Sequence, residues 1–161
     1  MGIPEVEQQV RVSLRQRGIR IATPIKQTHS LTCYYHGAEG YIGVPFWQVV
    51  KSPEALHRTL LHECGHAFMY ENFCWESAAF ERLFGRLTTP YPGNPGLLWA
   101  AITPRTMKHV SAYAKAHPEE DFAETFVHVV QRGSLSGFSL EVQRKIEFVR
   151  DAVKRHSKSV K

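Results

Sequence analysis

Two histidines and a glutamate stand at a spacing that suits a metal ion. His62, Glu63 and His66 form the pattern His-Glu-x-x-His within the run LLHECGHAFM, residues 60–69. On an α-helix, residues four apart lie on one face, so both imidazoles can reach the same ion. Glu63 lies beside them and can accept a proton from water held by that ion. The pattern is therefore typical of a metal centre that activates water.

The residues around this pattern favour the same interpretation. They make the predicted helix apolar nearly all round, and such a helix is normally buried: Leu60, Leu61, Cys64, Ala67, Phe68 and Met69. A buried carboxylate without a partner costs several kcal/mol, so Glu63 and the two rings call for a counter-charge that a divalent cation can supply. We interpret Cys64 as a small packing residue that points away from the histidines.

A third ligand has to come from elsewhere in the chain, because a catalytic zinc binds three protein side chains and leaves one position for water. Glu120 and Glu124, within the segment Glu-Glu-Asp-Phe-Ala-Glu, are four apart and share a helix face. One of them could bind the ion while the other accepts the ring N–H of a ligand histidine. Alternatively, the acids only favour the helix dipole, which accounts for Glu119 and Glu120 but not for Glu124 in mid-helix.

Periodicity and capping signals predict a mostly helical chain with a few strands. Ser52-Pro53-Glu54 is a strong helix start, and glycines between two β-rich runs indicate a hairpin. The predicted helices cover residues 4–17, 53–71, 76–84, 118–132 and 140 onward; the predicted strands cover 19–21, 31–35 and 41–44. Residues 88–96 are predicted to form a loop, which is either a cleft wall or a plain surface connection.

Four other histidines are expected outside the site or at its margin. We expect His117 to cap a helix or lie exposed, and His57 and His109 to lie at the surface. His128, two turns after Glu120, could line the same helix face as the candidate ligand.

Length and composition indicate one ordinary globular domain over residues 1–161. Hydrophobic residues make up 43% and charged residues 22%, and no apolar run is long enough to cross a membrane. The three cysteines form no Cys-x-x-Cys pair, and no secretory signal is visible. We therefore expect a cytoplasmic protein without a disulfide framework.

The formal net charge is +5, and the excess lies near the end of the chain. The basic residues there are Arg144, Lys145, Arg150, Lys154, Arg155, Lys158 and Lys161. They indicate either a solvated helix face or a contact with nucleic acid. No aromatic residues are interleaved with them in the way that nucleic-acid sites favour, so the solvated face is the preferred interpretation.

Three further stretches extend the metal pattern into a family resemblance: residues 81–85 (ERLFG), 111–114 (SAYA) and 117–126 (HPEEDFAETF). Together with HECGH at 62–66, over roughly residues 42–130, the chain resembles the putative zinc-binding metallopeptidases of bacteria. That family belongs to the gluzincin group and is distantly related to thermolysin and to the anthrax lethal factor protease domain. The Glu-Asp-Phe-Ala-Glu segment is far more specific than His-Glu-x-x-His alone.

The resemblance implies a zinc ion held by His62, His66 and Glu120. It also implies that Glu63 is the general base and that Glu124 orients a ligand histidine. The implied fold is an α+β, zincin-like metalloprotease domain, mostly helical, with a small N-terminal antiparallel sheet beside the active-site helix. This single minimal domain would occupy residues 1–161.

The resemblance further implies a catalytic tyrosine. Tyr113 stands seven residues before Glu120 and matches a tyrosine that stabilises the tetrahedral oxyanion in sites of the lethal factor type. Its alternative role is that of a partly buried structural tyrosine. The implied activity is zinc-dependent endopeptidase cleavage of a peptide or protein substrate.

Two other functions remain open from the sequence. The basic C-terminal helix and a cysteine within the metal pattern suggest a DNA-associated metalloprotease of the SprT type, although that family places cysteine next to the second histidine, where this chain has Gly65. A metal-bound binding module without catalysis is the second alternative, although such a module has no need of Glu63 as a base.

Overall fold

The computed structural model describes residues 2–30, 32–45, 52–90, 99–102 and 107–159. The helices of this part are α1 (Ile3–Gln16), α2 (Pro53–Glu71), α3 (Ala78–Phe84), α4 (Pro118–Gln131) and α5 (Leu140–Ser159). The strands are β1 (Ile25–Thr28), β2 (Tyr34–His36), β3 (Tyr41–Pro45), β4 (Arg86–Pro90) and β5 (Trp99–Ile102). Short 3₁₀ turns occur at Cys74–Glu76 and Tyr113–Lys115. The fold is therefore α+β and mostly helical, as the sequence predicts.

The two helices that carry the candidate ligands begin where local signals predict. At α2, the Ser52 hydroxyl accepts a hydrogen bond from the Ala55 N–H at 3.2 Å, and Pro53 occupies the first turn. At α4, the Nδ1 atom of His117 accepts from the Glu119 N–H at 3.3 Å. His117 is thus a cap, as expected, but it is buried rather than exposed.

The small sheet is mixed, so the expectation of an antiparallel sheet is wrong in part. Strands β2 and β3 form the predicted antiparallel hairpin, with Tyr35 opposite Ile42. Strand β1 pairs in parallel with the other edge of β3, with Ile25 opposite Ile42, and the order is β1-β3-β2. The chain crosses from one side of β3 to the other between β1 and β2, and this non-local path cannot be read from alternating residues.

Two local predictions are also corrected. Residues 19–21 form no strand; Ile19 is fully buried directly after Gly18, which has a φ of 72°. Residues 88–90, predicted as loop, belong to β4, which pairs with β5 in a two-stranded antiparallel sheet. The remaining residues of the predicted loop, 91–96, lie outside the described part of the chain.

The core lies around α2 and α4, which pack against each other, with α1 and the sheet beside α2 and with α5 beside α4. From Leu60 to Met69, every residue of α2 is buried, in agreement with the apolar sequence. Aromatic rings join the layers: Phe68 and Phe126 lie 5.2 Å apart between centroids, and Phe84 and Phe122 lie 5.6 Å apart. Each such ring contributes roughly 1.5–3 kcal/mol by burial.

None of the helices in the described segments is both long and apolar enough to cross a bilayer.

Candidate metal centre

Gly65 lets α2 and α4 approach closely at the level of the candidate ligands. A Cβ atom at residue 65 would lie only 2.9 Å from the Cα of Ala123, a distance that real Cβ contacts do not show. Gly65 stands between the two histidines of α2, and Ala123 stands between the two acids of α4. The close approach therefore brings the rings against the carboxylates.

Three side chains from these helices converge on one point. The Nε2 atom of His62 lies 2.8 Å from Oε2 of Glu120 and 3.2 Å from Nε2 of His66, and the third side of the triangle is 3.6 Å. In tetrahedral zinc sites with bonds of about 2.0–2.1 Å, ligand atoms are about 3.3 Å apart. The sides of the triangle are close to that spacing, and these residues form the group of potential metal ligands found in the described segments.

The chemistry of these atoms also suits a cation between them. Nδ1–H of His62 donates to Oε1 of Glu124 at 2.9 Å, so Nε2 on the other side of the ring can hold either a proton or a metal ion. Nε2 faces the Glu120 oxygen and the His66 nitrogen, and a metal ion can replace its proton there, because a bare lone pair so close to a carboxylate oxygen would be repulsive. A zinc ion satisfies all three atoms at once, so the residues present fit this metal.

Electrostatics lead to the same conclusion. Burial by itself lowers the pKa of His62, but hydrogen bonds to Glu120 and Glu124 outweigh it and raise the pKa to about 9. Burial raises the pKa of Glu120, yet hydrogen bonds to His62 and His66 hold that pKa well below its usual range. The site therefore keeps Glu120 negative and attracts positive charge.

Glu124 holds His62 from the side opposite the metal position. Its side chain is almost fully buried and accepts from His62, from Arg58 at 2.7 Å and from Ser111. Burial raises the pKa of Glu124, but the bonds from His62 and Arg58 lower it to about 2, so the carboxylate is charged. An anion at this place sets the orientation and tautomer of the ring.

Glu63 is the buried acid beside the rings. The backbone N–H of Tyr35, on β2, donates a hydrogen bond to Glu63, and the charges of His66 and His62 act on it. Burial is the largest influence and raises the pKa of Glu63 above its usual value, against the lowering effect of the two rings. A carboxylate with raised proton affinity is suited to taking up a proton near neutral pH.

Tyr113 reaches the same group of side chains from a different part of the chain. Its ring centroid lies 5.6 Å from that of His62, and its side chain is hydrogen-bonded to Glu120. The residue is 60% exposed, so it borders the site on the solvent side.

Several contacts of this region were not anticipated from the sequence. Asp121, an acid of the first turn of α4, is buried and bonded to Lys145 and to His109, whose side chain is 7% exposed rather than at the surface. Lys145 belongs to the buried face of α5, since it lies three residues after Val142 and four before Val149, and this spacing was a usable signal. His128 bonds the Ser134 carbonyl and is not among the converging ligands.

Arg58 and Ser111 were missed for another reason. Arg58 contacts Glu124 across 66 residues of sequence and belongs to no motif with a recognisable spacing. Ser111 lies in the SAYA stretch, but nothing in that stretch predicts its hydrogen bond to Glu124. Tyr70, whose hydroxyl donates to Glu119 at 2.5 Å, belongs to the same class. Only the packing of α4 against its neighbours reveals these partners.

Comparison with known proteins bears on the same stretch of chain. The sequence model of the family described as "Putative zinc-binding metallo-peptidase" matches residues 53–152, which include α2, α4 and every candidate site residue. No curated protein and no solved structure shows significant similarity to the chain. Since the family match covers more than half of the sequence, this protein belongs to the zinc-binding metallo-peptidase family.

Proposed function

We propose that this protein is a zinc-dependent endopeptidase whose metal ligands are His62, His66 and Glu120. The observation that supports this best is the triangle formed by Nε2 of His62, Nε2 of His66 and Oε2 of Glu120, whose sides are 2.8, 3.2 and 3.6 Å. A zinc ion bound there supplies Lewis acidity, which makes water more acidic and polarises a peptide carbonyl.

Glu63 is the proposed general base. It stands next to His62 on α2, it is buried, and the Tyr35 N–H fixes its carboxylate. In peptide hydrolysis the Glu63 carboxylate accepts a proton from the attacking water and gives it to the leaving amine. Its raised pKa suits both transfers, because a weaker acid holds the proton long enough to pass it on.

Tyr113 is the proposed oxyanion donor. Its hydroxyl already lies within hydrogen-bond reach of Glu120, and the ring borders the cleft beside His62. Burial and the nearby carboxylates raise the pKa of Tyr113, so the phenol keeps its proton and remains a donor. A small rotation of the exposed side chain would turn that O–H to the developing oxyanion.

Strand β2 is the proposed guide for substrate. The order β1-β3-β2 puts β2 at an edge of the sheet, and its residue Tyr35 bonds Glu63 through the backbone. An extended peptide can pair with an exposed strand edge through main-chain hydrogen bonds. A peptide held along β2 would pass beside Glu63. This arrangement favours cleavage at an internal bond of the substrate.

The test of this function is Glu63→Gln, with Glu54→Gln at the exposed start of α2 as the matched control. Zinc analysis should give one ion per chain for the parent protein and for both variants. Cleavage of a peptide library should fall at least about 100-fold in Glu63→Gln, because the amide cannot accept the proton, and should be unchanged in the control. If Glu63→Gln keeps its activity, Glu63 is not the general base. If the parent protein binds stoichiometric zinc but cleaves no peptide, the protein is a metal-bound binding module.

A further inference from the structure

A second buried ion cluster joins α4 to α5 and includes Asp121, the residue that follows Glu120. Lys145 of α5 is completely buried, and its Nζ atom lies 2.5 Å from Oδ2 of Asp121 and 2.5 Å from the carbonyl oxygen of Lys108. The same ammonium lies 5.5 Å from the centre of the Phe84 ring. A carboxylate, a carbonyl and an aromatic face thus surround the charge.

The cluster holds the beginning of one segment, residues 107–116, which we call the Tyr113 segment. The Lys108 carbonyl accepts from Lys145, and Nδ1–H of His109 donates to Oδ2 of Asp121 at 2.9 Å. The Lys108 N–H donates to Glu141 at 3.0 Å, near the start of α5. Both residues at this end of the segment are therefore tied to α4 or α5.

The other part of the Tyr113 segment contacts the proposed site. Ser111 is hydrogen-bonded to Glu124, and Tyr113 is hydrogen-bonded to Glu120. The segment therefore spans the distance between the ion cluster and the two acids of α4. Any shift of Lys108 and His109 would be transmitted over two to four residues to Ser111 and Tyr113.

Stability alone is a poor explanation for this arrangement. Burying an ammonium and a carboxylate costs several kcal/mol for each ion, and well-packed apolar side chains of similar size often stabilise a fold equally well. Directional bonds from one ammonium to a helix and to a loop carbonyl fix geometry in a way that apolar contacts do not. The cluster is thus suited to setting a position rather than to adding stability.

We propose that Lys145, Asp121 and His109 are positioning residues that hold the Tyr113 segment against the metal site. They act through Ser111 and Tyr113, which meet Glu124 and Glu120. The inference rests on the proposed function, in which Tyr113 acts on the substrate. Its consequence is that the catalytic contribution of Tyr113 depends on a lysine of α5 that contacts no substrate.

The test is the double variant Lys145→Met/Asp121→Asn, which removes both charges while Asn can still accept from His109. The matched control is Lys154→Met/Asp151→Asn, the same changes in an exposed ion pair of α5. Hydrogen exchange of the peptide covering residues 107–116, measured on the zinc-loaded full chain, should accelerate at least about tenfold in the first variant only. Exchange in α2 should stay as in the parent protein.

Activity supplies the second measurement. In the parent background, Tyr113→Phe should lower kcat at least about tenfold, since one oxyanion donor is lost. In the Lys145→Met/Asp121→Asn background, kcat should already be reduced with KM unchanged, and adding Tyr113→Phe should change kcat less than about twofold, because a misplaced donor contributes little. Additive effects of the two changes would overturn the proposal.

The two proposals fail in different ways. Unchanged exchange of residues 107–116, or equal acceleration throughout the chain, would show that the cluster does not position the Tyr113 segment. If the parent protein binds zinc but cleaves nothing, the proposed function fails while the exchange measurement still decides the positioning. Where the double variant is too unstable to purify, His109→Gln tests the same contact with Asp121, and the same two exchange outcomes apply.

Discussion

At the scale of single residues, the two acids of α4 have different positions relative to His62. Glu120 lies against Nε2 of that ring and also near His66, whereas Glu124 accepts from Nδ1 on the opposite side. Their spacing of four residues left open which acid faces the ion. The relative placement of α2 and α4 puts Glu120, and not Glu124, in the group of side chains that could hold a metal ion.

This difference leads to a prediction about zinc affinity. Glu120→Ala should weaken zinc binding by more than about 100-fold, whereas Glu124→Ala, which only frees the ring of His62, should cost about 10–100-fold. Competition with a chromophoric chelator measures both constants, and Glu147→Ala on the exposed side of α5 is the control. A larger loss in Glu124→Ala would mean that the ligand and its supporting acid are exchanged.

At the scale of secondary-structure elements, the site depends on how closely α2 and α4 pack. Gly65 of α2 lies against the backbone of Ala123 of α4, and the space between them is too small for a Cβ atom. Glycine in mid-helix costs about 1 kcal/mol relative to alanine. The chain therefore carries a weaker helix former where the two ligand-bearing helices meet.

We predict that Gly65→Ala separates the helices despite its better helix propensity. Overpacking costs about 1–3 kcal/mol, which offsets the gain of about 1 kcal/mol in propensity. Zinc affinity should fall about tenfold, because the Glu120 oxygen moves away from the two imidazoles, and Gly65→Ser should lower it further. Urea unfolding and chelator competition provide the two measurements. An alanine variant that gains both stability and zinc affinity would contradict this account of the helix contact.

At the scale of the whole molecule, metal binding and folding are coupled, since α2 and α4 are far apart in sequence and the ion would join them. The ligand His62 also links stability to pH in the zinc-free protein. Its pKa is raised from 6.5 to about 9, so the ionic contacts of the protonated ring stabilise the fold fully below about pH 6.5. That contribution is lost as the pH rises through about 9.

Zinc should therefore stabilise the protein more at pH 9 than at pH 6.5, because at the lower pH it has to displace a proton from His62. At one fixed zinc concentration, equal to 100 times the dissociation constant at pH 9, zinc should add about 2.7 kcal/mol to the free energy of unfolding at pH 9 and less at pH 6.5. Thermal unfolding with zinc and with a chelator, at both pH values, measures the difference. His66→Ala should show little response to zinc, and an equal zinc effect at both pH values would contradict the role of His62.

The surface charge is also a property of the whole molecule. Lys145, counted from the sequence among the basic residues of the last helix, is buried against Asp121, and Lys154 is paired with Asp151 at 3.6 Å. The basic face of α5 is thus smaller than its composition indicates. This weakens the electrostatic case for a nucleic-acid contact.

Local chemistry in the sequence determined the ends of α2 and α4, the residue types of the metal centre and the family. Helix caps, the 3.6-residue period and the four-residue spacing of the candidate ligands each lie within one or two helical turns. They can therefore be recognised in the sequence without knowledge of the fold. Tertiary structure alone decided the parallel pairing of β1 and the contact of Arg58 with Glu124. It also decided the burial of Lys145 beside Asp121. These features join residues that are distant in the chain, and only the packing of the elements determines which of them meet.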